Sequence, residues 1–136
     1  MANAGLELQK AIYQALRSGA EVLGLLGSAK VYDDTPQRTE FPYVTFGQSL
    51  VRDWSTGTEA GHEHVITLHV WSRAAGRKQV REIMAAIETV LHDRQLTVAG
   101  HSLVNLRHEF SDARRDPDGE TYHGTVRFRA VTEPQV

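Results

Sequence analysis

The stretch from Glu63 to Trp71 restricts the possible folds most sharply. Read as a strand, it sets Ile66, Leu68 and Val70 on one side and Val65 and Trp71 on the other, so both sides are apolar. Such a strand predicts cover on both faces of a sheet. The segment from Thr121 to Val131 alternates instead. Tyr122, Val126, Phe128 and Ala130 point one way, and His123, Thr125, Arg127 and Arg129 the other.

Helical spacing dominates Gly76 to His92, where Val80, Ile83, Met84, Ile87, Val90 and Leu91 form one apolar stripe. Leu8, Ile12, Ala15 and Leu16 repeat in the same way near the start, with Asn3 placed to cap the helix and Gly19 to end it. A short helical piece follows from Glu21 to Leu26, then a short strand at Lys30–Tyr32. Tyr43 to Val51 reads as a strand, with Val44, Phe46 and Leu50 on one face and Tyr43, Thr45 and Val51 on the other. A long strand is expected from Ser102 to Ser111. Asp116-Pro117-Asp118-Gly119 supplies the next turn, because proline pre-sets φ and glycine accepts a positive one. The order predicts an α+β fold, a mostly antiparallel sheet packed against two helices. Its expected core is Phe46, Leu68, Val126 and Phe128 beneath Ile83, Ile87 and Leu91. A length of 136 residues suits one domain over residues 1–136.

Composition narrows the function classes. A net charge of −2 gives no polybasic footprint for nucleic acid and no acidic tail. Cysteine is absent, which excludes disulfides, thiolate metal sites and a thiol nucleophile, and fits a reducing compartment. No apolar run approaches the ~18 residues of a membrane span. The opening Met1–Gly5 lacks the basic and apolar parts of an export signal, so an intracellular protein without membrane contact is expected.

Motifs for chemistry are mostly missing. His62 and His64 share a strand face and form a possible metal chelate, the basis of an alternative reading as a metal-binding enzyme domain. That site needs a third ligand from another strand, with His108 or His123 as candidates. His62-Glu63-His64 is not the zinc-protease spacing, which requires the second histidine four residues on. The Asp116–Gly119 turn fails as a calcium loop, since Arg114 and Thr125 fall where carboxylates are required. No nucleophile elbow, phosphate loop or dinucleotide fingerprint occurs. No catalytic residue, cofactor site or metal site is therefore assigned. Arg107, Arg127 and Arg129 are expected to share a basic sheet face. Trp54 is unusual, a large ring in the polar connection from Arg52 to Gly61. Ten such residues exceed an ordinary hairpin loop, and the stretch reads as an arm for assembly.

Several short stretches in order resemble a known family. They are Lys30-Val31-Tyr32-Asp33 leading to Pro36, then Phe41-Pro42-Tyr43-Val44-Thr45-Phe46-Gly47, and Arg52-Asp53-Trp54-Ser55-Thr56 with Gly61. Leu68-His69-Val70-Trp71-Ser72, Leu91-His92-Asp93, Arg115–Gly119, Tyr122-His123-Gly124 and Phe128-Arg129-Ala130 continue the pattern over about residues 6–133. The chain resembles the tail terminator, or tail completion, proteins of tailed phages and gene transfer agents, long a family of unknown function. The resemblance implies a structural virion protein: a hexameric ring that caps the tail tube, joins it to a head-side connector or stopper, and lets double-stranded DNA pass. It also implies residence at the head–tail junction of the particle, and in the host bacterial cytoplasm before assembly. Another connector component, such as a stopper or adaptor, is the nearest alternative. A ring needs two different adhesive surfaces on each subunit. Arg52, Asp53, Trp54, Thr56 and Trp71 are the expected contributors to that contact.

Overall fold

The computed structural model describes residues 3–135. Its elements are α1 (Ala4–Ser18), α2 (Ala20–Leu26), β1 (Val31–Tyr32), β2 (Tyr43–Asp53), β3 (His62–Ser72), α3 (Lys78–Leu91), β4 (His101–Arg115) and β5 (Tyr122–Pro134). One five-stranded sheet has the order β1-β2-β3-β5-β4. Only β1 pairs in parallel, with β2; the remaining ladders are antiparallel. This is the expected α+β class, with the short helical piece standing as a helix of its own. None of the described helices is long and apolar enough to cross a membrane.

Local chemistry explains the helix ends. Asn3 accepts from the Leu6 N–H at 2.9 Å, satisfying one of the free donors of the first turn. Gly27 closes α2 in the left-handed region at φ 86°, where a side chain would be strained. Leu8, Ile12 and Leu16 of α1 and Ile83, Ile87 and Leu91 of α3 are buried against Leu68, Val126 and Phe128 of the sheet. The expected core is present, with Phe46 half-buried at its margin.

Two sequence expectations change. All three helices add their buried residues to this one core, on the sheet's inner face. On the opposite, outer face Val65, Thr67, His69 and Trp71 remain half-exposed, so β3 is not covered twice within the chain. Neighbours on the same face screen it instead. The Trp71 ring stacks on His123 with centroids 4.0 Å apart, and its Nε1–H donates to Thr45 Oγ1 at 3.0 Å. The second change is in β2, where a bulge falls between Phe46 and Ser49. An extra residue there reverses the alternation. Leu50 therefore lies beside Val65 on the outer face, and Val51 beside the buried His64 on the inner one.

Contact between α3 and β5 depends on a missing side chain. A Cβ added at Gly124 would lie 2.5 Å from Met84 Sδ and 2.6 Å from Val80 Cγ1. Gly124→Ala is expected to push α3 off the sheet and destabilise by about 1–3 kcal/mol. Urea denaturation checks it; an unchanged midpoint would show that the helix can shift freely.

Candidate assembly surface

The outer face carries the residues that the core does not use. Its lower-numbered half of β3 holds Glu63, whose carboxylate is buried between two guanidiniums. Arg52 Nε and Arg129 Nε each donate to one of its oxygens at 2.5 Å. These two hydrogen bonds, Arg52's first, hold its carboxyl below the ordinary carboxylate range. The Arg129 guanidinium also lies 5.1 Å over the Trp54 ring, a cation–π contact. Trp54 itself is 51% exposed. Glu63 thus ties the base of the β2–β3 hairpin to the sheet and leaves the indole on the surface.

That hairpin is more ordered than a free polar loop. The strands run on to Asp53 and begin again at His62, so the connection is only residues 54–61. Trp54 N–H donates to Gly61 C=O at 2.9 Å. Asp53 accepts from the Ser55 N–H and hydroxyl, and Thr56 Oγ1 accepts from the Glu59 N–H at 3.0 Å. Side-chain acceptors of this kind close turns that the backbone alone leaves open.

Arg107 and Arg129 are cross-strand neighbours, and Arg127 pairs with Phe110 and stacks over its ring at 4.9 Å. All three arginines lie on the outer face. Trp71 sits at the far end of β3 from Trp54, opposite Tyr43 rather than near Arg52. The five expected contact residues therefore form two groups at opposite ends of one face.

A histidine pair occupies the Trp71 end, and the sequence did not reveal it. Arg114 Nη2 can only donate, so His123 Nδ1 accepts from it at 3.1 Å. His123 Nε2–H then donates to His69 Nδ1 at 2.7 Å. Burial, above all, lowers the pKa of both rings and favours this neutral arrangement. Gly47 makes room for it, since a Cβ there would lie 2.3 Å from His69 Nε2.

The remaining histidines do not assemble into chemistry. His64 is buried and bonded to Thr132 Oγ1 at 2.8 Å, with His62 beside it at 6.3 Å between ring centroids. His123 lies on the other face, and His108 pairs with Glu88 at 3.0 Å. Among the described residues no three histidine or carboxylate groups stand close enough to hold a metal ion. Ser111 Oγ and Glu88 Oε1 both approach Nε2 of His108, at 2.6 and 3.0 Å. A proton relay needs its serine and its acid on opposite ring nitrogens, so this trio is not one.

Comparison with known proteins decides the family. The model of the family described as tail completion protein gp17 matches residues 10–133. The chain belongs to the tail completion protein gp17 family. Tail completion protein gp17 of Bacillus phage SPP1 is 24% identical over 122 residues, covering 90% of this chain and 89% of the phage protein. A chain in the solved virion of a native gene transfer agent particle is 31% identical, with 98% of this chain and 99% of that one aligned at a TM-score of 0.89. Another solved structure, 12% identical over 99% of this chain and 98% of its own, aligns at a TM-score of 0.57 and shares the fold.

Proposed function

We propose that this protein is a structural, non-catalytic virion subunit. Six copies form a ring on the end of the tail tube and join it to the head-side connector, with double-stranded DNA passing through. It resides in the host cytoplasm until it enters the particle. The observation that carries this reading is the end-to-end likeness to a chain in a gene transfer agent virion. A domain matched over 98% of its length has little room for a different task grafted elsewhere.

The hairpin at Arg52–Gly61 supplies one contact of the ring, with Trp54 as its anchor and Arg52, Asp53 and Thr56 shaping it. An exposed indole braced by Arg129 is the kind of group that becomes an interface hot spot. Trp71 and the arginine tier belong to the same sheet face. Trp54→Ala is expected to leave the subunit's thermal midpoint within a few degrees and to weaken capping of tail tubes severalfold or more. Thermal unfolding and a tube-binding titration measure the two quantities. Normal capping by this variant would remove Trp54 from the contact.

A further inference from the structure

Among the described residues, two stretches of strand edge are left unpaired, and they lie on opposite sides of the sheet. On β2, β1 covers only Val44 and Thr45. The ladder to β3 includes Arg52 opposite Glu63, and Trp54 N–H bonds to Gly61 C=O. Antiparallel pairs alternate between bonded and unbonded, so Ser49, Val51 and Asp53 turn their backbone groups away from β3. On β4, the segment after α3 covers the first half. Asp93 N–H reaches Leu106 C=O, and His92 Nδ1 accepts from the His108 N–H. Beyond the bulge between His108 and Phe110, the bond from Asp116 N–H to Thr121 C=O fixes the phase. Ser111, Ala113 and Arg115 there point outward. Leu50, Val51 and Phe110, which flank these edges, are among the exposed large apolar residues. Bare edges with apolar flanks are pairing sites.

We infer that the free edge of β2 in one copy pairs antiparallel with the free edge of β4 in the next, so that the sheets of a ring run into one another. This rests on the ring reading above and specifies its second contact. Charge selects the register. With Val51 opposite Ala113, Asp53 meets Ser111, Ser49 meets Arg115, and Arg52 lies beside Asp112 on the outer face. Sliding by two residues one way sets Arg52 against Arg114; sliding the other way sets Asp53 against Glu109. Like charges directly opposite are unfavourable. Arg52 bonds Glu63 through Nε, and the Asp112 side chain is 44% exposed. Faces also agree, because Val51 and Ala113 both belong to the helix side.

The geometry closes. Within a copy, Val51 is level with Ala130 of β5 through His64, whereas Ala113 is level with Gly124. Each copy is therefore stepped by about six residues, ~20 Å, for four long strands spanning ~19 Å. That ratio tilts the strands by roughly 45°, the upper end of the range in which barrels close. The helix layer needs the larger circumference, so the helix-free face with its arginines turns inward.

Cysteine pairs test the register, since the chain has no cysteine of its own. A bonded antiparallel pair has Cα atoms ~5.5 Å apart, within disulfide reach. Val51→Cys/Ala113→Cys protein added to tail tubes under mild oxidation is expected to give a ladder of linked subunits. Val51→Cys/Ser111→Cys and Val51→Cys/Arg115→Cys are expected to link at least tenfold less. Rings on the tubes without the 51–113 link, or with a neighbouring pair linking better, would overturn the edge pairing and leave the ring standing. Tubes left uncapped by the unsubstituted protein would overturn both. Val51→Pro removes an outward N–H that no described residue of the subunit accepts. It is expected to keep the subunit's thermal midpoint within a few degrees and abolish capping; normal capping would refute the pairing.

Discussion

Truncation of Phe128 to alanine is expected to destabilise the subunit by about 3–5 kcal/mol, the largest loss for any single side chain in the core. Phe128 is fully buried on β5, which has β3 on one side and β4 on the other. Its ring lies in the cluster shared by all three helices and takes the His108 ring edge-on at 5.8 Å. The residues packed around it lie on helices and strands that share one core, so the cavity is expected to remain. A domain of this size has about 5–15 kcal/mol in total, so the loss is a large fraction of its stability. Phe110→Ala is the matched control. That ring is 40% exposed, and its loss should cost about 1 kcal/mol or less. Urea denaturation of the two variants beside the parent measures both; similar midpoints for the pair would mean that Phe128 is not the centre of the core.

Acid is expected to weaken the subunit in a window set by histidine rather than by carboxylates. Burial, then the neighbouring His62 and His101, lowers the His64 pKa from 6.5 to about 4. Between those values the unfolded chain binds a proton that the folded one refuses, so stability falls as pH drops from about 6.5 to 4. The loss at His64 alone is on the order of 3 kcal/mol. His69 and His123 are lowered too and act in the same direction. Glu63 and Asp118 behave differently. Both are held low, Asp118 at about 2 by hydrogen bonds from Thr121 and Glu120, so their contribution is intact above the ordinary carboxylate pKa and fades below it. Urea midpoints at pH 7.5, 6 and 5 separate the two groups. A steep fall from pH 6.5 to 5, reduced in His64→Gln, is the expected result; a flat profile there would place His64 outside the core.

Periodicity made the interior legible and left the surface obscure. β5 alternates from Gly124 to Ala130 as the sequence suggests, and the Ile83–Ile87–Leu91 stripe of α3 faces the sheet. Both patterns are local, and burial enforces them. The bulge in β2 had no such marker, since Gly47-Gln48-Ser49 reads as ordinary strand, yet it moves Leu50 to the other face. Glu63 looked like one polar residue in an apolar strand. Its role appears only when β2 and β5 bring Arg52 and Arg129 to it from 11 and 66 residues away. The histidine pair likewise joins residues 54 apart. Strand order creates these contacts, and strand order is not written in any one segment. Val65 and Trp71 suggest double cover of β3; within the subunit, stacked rings screen part of that face and the rest stays half-exposed.

The central claim is that this subunit completes the tail, and electron microscopy of tail tubes tests it most directly. Tubes prepared without the protein would be imaged alone and after addition of the purified subunit. A single extra ring at one end of each tube, followed by joining to filled heads, is the expected result. Bare tube ends at saturating protein, or binding confined to the head vertex, would contradict it.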